Sequence, residues 1–364
     1  MALIPVTILT GFLGSGKTTL LQRVLSEAHG QKIAVIENEF GEENIDNEIL
    51  VSDTQEQIIQ MSNGCVCCTI REDLRGTLQL LAAKRRKGLL DFERVVIETT
   101  GLADPGPVAQ TFFMDEEIAE SYLLDSIVTL VDAKHAQQQL DERQEAQRQV
   151  GFADQIFISK ADLVSEAEVE ELIHRIKHMN PRAAIQTVHF GQVALNQVLD
   201  LRGFNLNARL DIDPDFLKGE EPGHDHAHEH EHEHGHHDHG HEACGHDHAH
   251  DESCHHPGHG HHHHHDDDVK SFVYRETRPL DPAKLEDFLG AIVQVYGPKL
   301  LRYKGVLNMK GTERKVIFQG VHQLMGSDLG PQWRADEERQ SKMVFIGIDL
   351  PRDILLQGLA QCLA

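Results

Sequence analysis

Apolar residues along the 364-residue chain fall into two textures. The first is short, unbroken and rich in β-branched residues, at Val6–Leu9, Ile33–Ile36, Arg94–Ile97, Ile127–Val131, Gln155–Ile158 and Ile185–Val188. Runs without polar alternation suit strands buried on both faces, as in a parallel sheet. The second has helical spacing. Thr18–Ala28 places Leu20, Leu21, Val24 and Leu25 on one stripe, and Asp73–Arg85, Ala136–Val150 and Ser165–Met179 repeat the pattern. Ser165 and Glu168 have the spacing of a capping box at the start of the last. Strands alternating with helices predict a doubly wound α/β domain over residues 1–205.

The texture is lost between 218 and 268, where His, Asp and Glu alternate with Gly and Ala and large apolar side chains are nearly absent. Such a segment has nothing with which to build a core and is expected to be disordered when metal-free. Residues 206–268 therefore read as a linker and a His/Asp/Glu tract. Ordinary patterning resumes at Val269. Lys270–Arg275 reads as a strand, and Asp281-Pro282 as a helix start with proline in its first turn. Leu300–Met309 and Lys315–Val321 flank a hairpin at 310–313, Met343–Leu350 is another strand, and Pro351–Leu363 closes the chain as a helix. Residues 269–364 are thus expected to form a smaller C-terminal α+β domain.

Charge narrows the partners. The net charge is -25, and residues 220–268 carry fourteen acids and no Lys or Arg. A phosphate backbone would repel such a chain, so nucleic acid is not expected as a partner. No apolar run reaches membrane-spanning length, so no membrane partner is expected. The apolar start reads as a first strand rather than a signal peptide, lacking a basic leader. Three of the six cysteines lie within four residues, too close to bridge one another. Reduced thiols beside a nucleotide site point to the cytoplasm.

The candidate nucleotide chemistry starts where the first strand ends. Gly11-Phe-Leu-Gly-Ser-Gly-Lys-Thr18 is a complete phosphate-binding loop between strand and helix. Gly11, Gly14, Ser15, Gly16, Lys17, Thr18 and Thr19 form the expected cradle. In it backbone N–H groups converge on phosphate, Lys17 reaches the β- and γ-phosphates and Thr18 ligates Mg²⁺. Glu98-Thr-Thr-Gly101 ends a buried strand, so Glu98 is placed to support Mg²⁺ and Gly101 to meet the γ-phosphate. Asp104 in the following loop is a candidate for orienting water. Ser159-Lys-Ala-Asp162 follows another strand. There the Asp162 carboxylate can accept guanine N1–H and N2–H while the Lys160 stem lies along the base, which favours GTP and GDP over adenine nucleotides. Many GTPases carry asparagine where this chain has Ser159.

Cys65, Cys67 and Cys68 are soft donors suited to Zn²⁺, with Co²⁺ or Ni²⁺ as alternatives. Their tight spacing leaves a coordination position for a further ligand or water. Glu37, Glu39 and Glu42 follow the second strand and are candidate partners, though Glu42 is equally placed to approach Mg²⁺.

Taken together, Gly11–Thr18, Glu37-Asn-Glu-Phe-Gly41, Asn63-Gly-Cys-Val-Cys-Cys68, Glu98-Thr-Thr-Gly-Leu-Ala-Asp-Pro105 and Ser159-Lys-Ala-Asp162 resemble the CobW-like P-loop GTPases. Arg302-Tyr-Lys-Gly305 and Trp333 look like that family's second domain. The resemblance implies a GTPase that holds zinc or cobalt at the cysteine motif and passes it to a client apo-metalloprotein. Client identity and assembly, a homodimer included, are left open. The tract adds capacity, because 21 of the 27 histidines lie between His224 and His265 and neutral imidazole binds zinc, nickel, cobalt and copper. It keeps a second reading in play, a metal store or sensor with a regulatory nucleotide site.

Overall fold

In a computed structural model, which describes residues 3–26, 30–39, 50–51, 57–62, 69–204 and 267–364, the six continuous apolar runs all become strands of one sheet. They are β1 (Ile4–Gly11), β2 (Ile33–Glu39), β5 (Arg94–Glu98), β6 (Tyr122–Asp132), β7 (Gln155–Ser159) and β8 (Ala184–Val188). Two further strands, β3 (Leu50–Val51) and β4 (Gln57–Ser62), complete it in the order β3-β4-β2-β5-β1-β6-β7-β8. Every pairing is parallel except β3 with β4. Burial on two faces follows residue by residue. Ile33 and Val35 pack with Leu20, Leu21 and Val24 of α1 (Lys17–Ser26). The intervening Ala34 and Ile36 pack with Leu74, Leu78 and Leu81 of α2 (Thr69–Arg86).

Five more helices follow, namely α3 (Pro105–Met114), α4 (Glu116–Ala119), α5 (Ala136–Glu142), α6 (Gln144–Phe152) and α7 (Glu166–Met179). The capping box at Ser165 and Glu168 forms as read, with Glu168 N donating to Ser165 Oγ at 3.3 Å and Ser165 N to Glu168 Oε2 at 2.7 Å. The single helix expected over Ala136–Val150 is instead two. Arg143 adopts an extended conformation between them, and the buried Gln147 amide donates to the Leu140 carbonyl at 2.7 Å, satisfying an acceptor that the break exposes.

Residues 267–364 build a second sheet of β9 (Val269–Glu276), β10 (Leu300–Leu307), β11 (Arg314–Val321), β12 (Leu324–Gln332) and β13 (Ser341–Ile348), ordered β12-β11-β10-β13-β9 and antiparallel throughout. One face is covered by α8 (Pro282–Tyr296) and α9 (Arg352–Gln361), with Leu285, Leu289, Leu355 and Leu359 against Tyr303, Phe318 and Phe345. Asp281 caps α8 through Ala283 N at 3.1 Å and Lys284 N at 3.3 Å. From the other face, Val269, Val321, Val344 and Ile346 join the core that holds Val150 and Phe152 of α6. Both sheets belong to one compact unit.

Arg302-Tyr-Lys-Gly305 fastens that junction. Arg302 is buried and donates to Phe152 O at 2.7 Å, to Asp154 Oδ1 at 2.7 Å and to Gly203 O at 3.2 Å, with its guanidinium 4.2 Å over the Phe204 ring. Lys304 Nζ stands 3.6 Å from the same Asp154 oxygen. The Tyr303 hydroxyl donates to the carbonyls of His322 at 3.2 Å and Leu324 at 2.9 Å, which pins the turn between β11 and β12. A side chain on Gly305 would collide with the β13 backbone at Lys342 O, 2.2 Å away.

Candidate nucleotide and metal site

The predicted nucleotide residues gather at the carboxyl ends of β1, β5, β6 and β7, the edge where open α/β sheets bind ligands. Gly14 (φ 73°) and Gly16 (φ 99°) adopt backbone angles that side chains resist, which bends the loop back to start α1 at Lys17. Lys17 is buried and its ammonium donates to Gly11 O at 2.8 Å and Phe12 O at 3.2 Å. Burial pushes its pKa down, while the nearby Glu98 carboxylate pulls it back up. Ser15 is buried with its hydroxyl unpartnered among the described residues. Thr18 and Thr19 face solvent.

Register sets the second half of the cradle. β5 pairs with β1 so that Glu98 lies beside Leu9, and the Thr18 hydroxyl donates to Glu98 Oε1 at 2.8 Å. These are hard oxygen donors, fitted to Mg²⁺. β2 brings Glu37 alongside Glu98 in the parallel register, so one of the three expected acidic partners does reach this edge. Of Glu39 only the backbone is described, and it ends β2 opposite Ser62 at the end of β4. Cys65, Cys67, Cys68, Glu42 and the histidine tract lie outside the described residues. Among the described residues no three His, Cys, Asp or Glu side chains cluster as metal ligands.

The loop after β5 is held from two directions. A Cβ on Gly101 would sit 2.5 Å from Leu13 N, so the phosphate loop and this loop touch only because position 101 has no side chain. On the other side, the buried Gln149 amide donates to Gly101 O at 3.1 Å and Ala103 O at 3.0 Å. Asp104 Oδ1 caps α3 through Gly106 N at 2.8 Å, and its Oδ2 accepts from Arg148 at 2.6 Å. Both oxygens of this candidate water-orienting residue are thus engaged in holding the loop.

At the carboxyl end of β7, Ser159 stands where many GTPases carry asparagine. Its hydroxyl donates to Ser15 O at 2.7 Å, tying β7 to the phosphate loop, and lies 3.3 Å from Val131 O. Lys160 takes a left-handed conformation (φ 57°) and donates to Asp132 at 2.7 Å. Asp132 is 1% exposed and also meets His135 Nδ1 at 2.9 Å. Burial alone would raise its carboxyl, but the bonds from Lys160 and His135 outweigh that and hold it below the usual range. Sequence reasoning missed Asp132, although the signal was present. Like Glu98, it is an acid closing a buried strand, and its register partner is Ser159. Asp162 is exposed, with His189 Nδ1 at 3.5 Å. Phe190 is 74% exposed beside it, and Gly191 packs against α1 at Thr19 and Leu20.

The chain matches two family models, the CobW/HypB/UreG nucleotide-binding domain over residues 5–187 and the cobalamin synthesis protein CobW C-terminal domain over 269–363. It is 38% identical to the zinc chaperone YjiA of Escherichia coli, over 96% of each chain. It is 31% identical to the zinc chaperone CobW of Pseudomonas aeruginosa, over 100% of this chain and 92% of that one. Among solved structures it resembles zinc-bound YjiA GTPase from E. coli, with a TM-score of 0.73 at 34% identity over the whole of both chains. With a phosphate loop, a Thr18–Glu98 pair and both sheets accounted for, the chain belongs to the CobW family of P-loop GTPases.

Proposed function

We propose that this chain hydrolyses GTP to drive delivery of zinc, carried at Cys65, Cys67 and Cys68, to client metalloproteins. The observation that carries the reading is the Thr18–Glu98 contact at 2.8 Å, formed across the same strand ends that present Glu37. β4 ends at Ser62, beside Glu39, and Cys65 follows three residues later, at most about 10 Å of extended chain. The names of the zinc chaperone relatives support zinc as cargo.

Each residue then has a task. The glycine loop aims backbone N–H groups at the phosphates, and Lys17 neutralises charge that builds on them during transfer. Thr18 and Glu98 would hold Mg²⁺, which would supply positive charge against the phosphates. Gly101 offers its N–H towards the γ-phosphate, and the loop through Asp104 follows the presence of that group. Asp162 reads guanine through its two donors, and Asp132 fixes Lys160 beneath the base. Glu37 joins the cysteines as a candidate ligand, with Glu39 and Glu42 as further candidates.

The test is calorimetry of zinc binding to full-length protein loaded with a nonhydrolysable GTP analogue or with GDP. A coupling of about 1–3 kcal/mol predicts affinities differing by roughly 5- to 150-fold for one class of sites. That class should vanish in C65A/C67A/C68A. Identical zinc affinity in both nucleotide states would remove the coupling.

A store or sensor remains the second reading, because 21 histidines in one tract suit buffering better than selective transfer. Zinc transfer to an apo-client that proceeds equally with and without hydrolysable GTP would favour it.

A further inference from the structure

One side chain of the second sheet, His322, reaches the first turn of α3, next to the loop after β5. β11 and β12 pair up to Val321 and Leu324, leaving His322 and Gln323 as a two-residue turn. A first central position with positive φ in such a turn favours Gly or Asn. This one carries His322 at φ 51°, a local cost that the Tyr303 hydroxyl stabilises by bonding both flanking carbonyls. The strained geometry turns the imidazole inward. His322 is 8% exposed, its Nδ1 lies 3.3 Å from Gly297 O, and its ring meets Phe152 edge-on at 5.3 Å between centroids.

A carbonyl can only accept, so Nδ1 carries the proton and the Nε2 lone pair faces the first turn of α3. A Cβ built on Gly106 would lie 2.5 Å from that Nε2, 2.9 Å from Phe152 and 3.1 Å from Asp104 Oδ1. His322 and Gly106 are therefore shaped to each other. Gly106 N in turn donates to Asp104, which closes the loop that begins at Gly101.

α6 makes the same link in parallel. Three consecutive side chains take Val269 N of β9 (Gln147, 2.9 Å), Asp104 (Arg148, 2.6 Å) and the Gly101 and Ala103 carbonyls (Gln149).

We propose that His322 is a positioning residue for GTP hydrolysis, by which the second sheet sets the conformation of the Gly101–Asp104 loop through the first turn of α3. The inference rests on the reading that this loop meets the γ-phosphate. The ionisable groups facing the imidazole are Asp104 at the start of α3 and Arg148 on α6.

The experiment is steady-state GTP hydrolysis by full-length H322A, H322Q, G106A and H322A/G106A, with GDP affinity measured on each. H322A and G106A are each expected to lower kcat by about tenfold, with KM and GDP affinity within about twofold of wild type. Because both act on one contact, the double variant should be no slower than the worse single one, whereas independent effects would multiply to about a hundredfold. H322Q, with a neutral hydrogen-bonding side chain, should recover at least half of kcat. The inference is overturned if H322A keeps wild-type kcat, if the effects multiply, if H322Q gives no recovery, or if GDP binding is lost together with hydrolysis. G101A separates the two layers. A fully active G101A removes the γ-phosphate reading of the loop, whereas an inactive G101A beside a normal H322A removes only the role of His322.

Discussion

Arg302 offers a quantitative test of how the second sheet is fastened to the first. Replacing it with methionine keeps most of the volume and removes the guanidinium. Asp154, 0% exposed, then loses its 2.7 Å partner. Breaking a buried pair from one side costs about 3–5 kcal/mol, because a charge is left uncompensated. Two contacts soften the loss, since Ile127 N still donates to Asp154 Oδ2 at 3.1 Å and Lys304 stays 3.6 Å from Oδ1. Against that, the carbonyls of Phe152 and Gly203 lose their donor, at about 1 kcal/mol each. The sum is about 4 kcal/mol, or roughly 8 °C in melting temperature at roughly 2 °C per kcal/mol for a chain of this size. Thermal unfolding followed by circular dichroism reads it directly. R302M/D154N removes both charges and should recover about 2 kcal/mol relative to the sum of the two single losses. R302M melting within about 1 °C of wild type, or strict additivity in the double variant, would refute the account of this junction.

Other outcomes follow from single contacts. S159A removes the hydroxyl that bonds Ser15 O and approaches Val131 O, so GDP affinity should fall by roughly fivefold, about 1 kcal/mol; unchanged affinity in a titration with fluorescent GDP would show that the tie is dispensable. D162N replaces an acceptor pair with an amide that can also donate, so preference should move from guanine to xanthine nucleotides, and competition of GTP against XTP decides it. Burial holds the His322 imidazole below its ordinary pKa, with Asp104 opposing that shift and Arg148 adding to it. The unfolded chain takes up that proton near pH ~6.5 and the folded one only at lower pH, so stability from this site is complete above ~6.5 and falls as pH drops through the window below it. The melting temperature of wild type minus that of H322Q should therefore shrink between pH ~7.5 and pH ~5.5, and a constant difference would contradict the assignment.

The parallel sheet was legible because its strands are buried on both faces. Ile33 to Ile36 has no polar position to disguise it and is wholly buried, whereas Ile185–Val188 carries Gln186 and Thr187 on the edge strand β8, where only Val188 is buried. β12 was not legible. Its Leu-Met-Gly-Ser-Asp-Leu-Gly-Pro-Gln segment is an exposed edge strand, where no core face imposes alternation and glycine and proline are tolerated. The break at Arg143 escaped for a related reason, since the periodicity of Ala136–Val150 continues across it while the Gln147 side chain satisfies the interrupted backbone. Phosphate-loop residues were legible because their chemistry is local in sequence. Gln149 and His322 were not, since each acts on a residue far along the chain (46 and 216 positions away) that only the fold brings near.

That distinction bears on how hydrolysis and cargo could be linked. Glu37 and Glu98 sit on strand ends whose register is fixed by the sheet, so they have little freedom to respond to anything. The loop from Gly101 to Asp104 is different. It touches the phosphate loop at Leu13, yet its polar groups are satisfied by Gln149 and Arg148. Neighbouring Gln147 holds the first residue of β9. A shift of that loop on loss of the γ-phosphate must either break those bonds or carry α6 with it. Breaking them strands buried carbonyls, at about 1–3 kcal/mol each, so motion of α6 against the second sheet is the less costly path. Gly151 marks where that motion would be felt, because a side chain there would lie 2.8 Å from Leu301 and 3.2 Å from Val269. The helix packs against the second sheet too closely to slide without moving it. On this reading the state of the nucleotide would be felt at the second sheet, more than a hundred residues away in sequence.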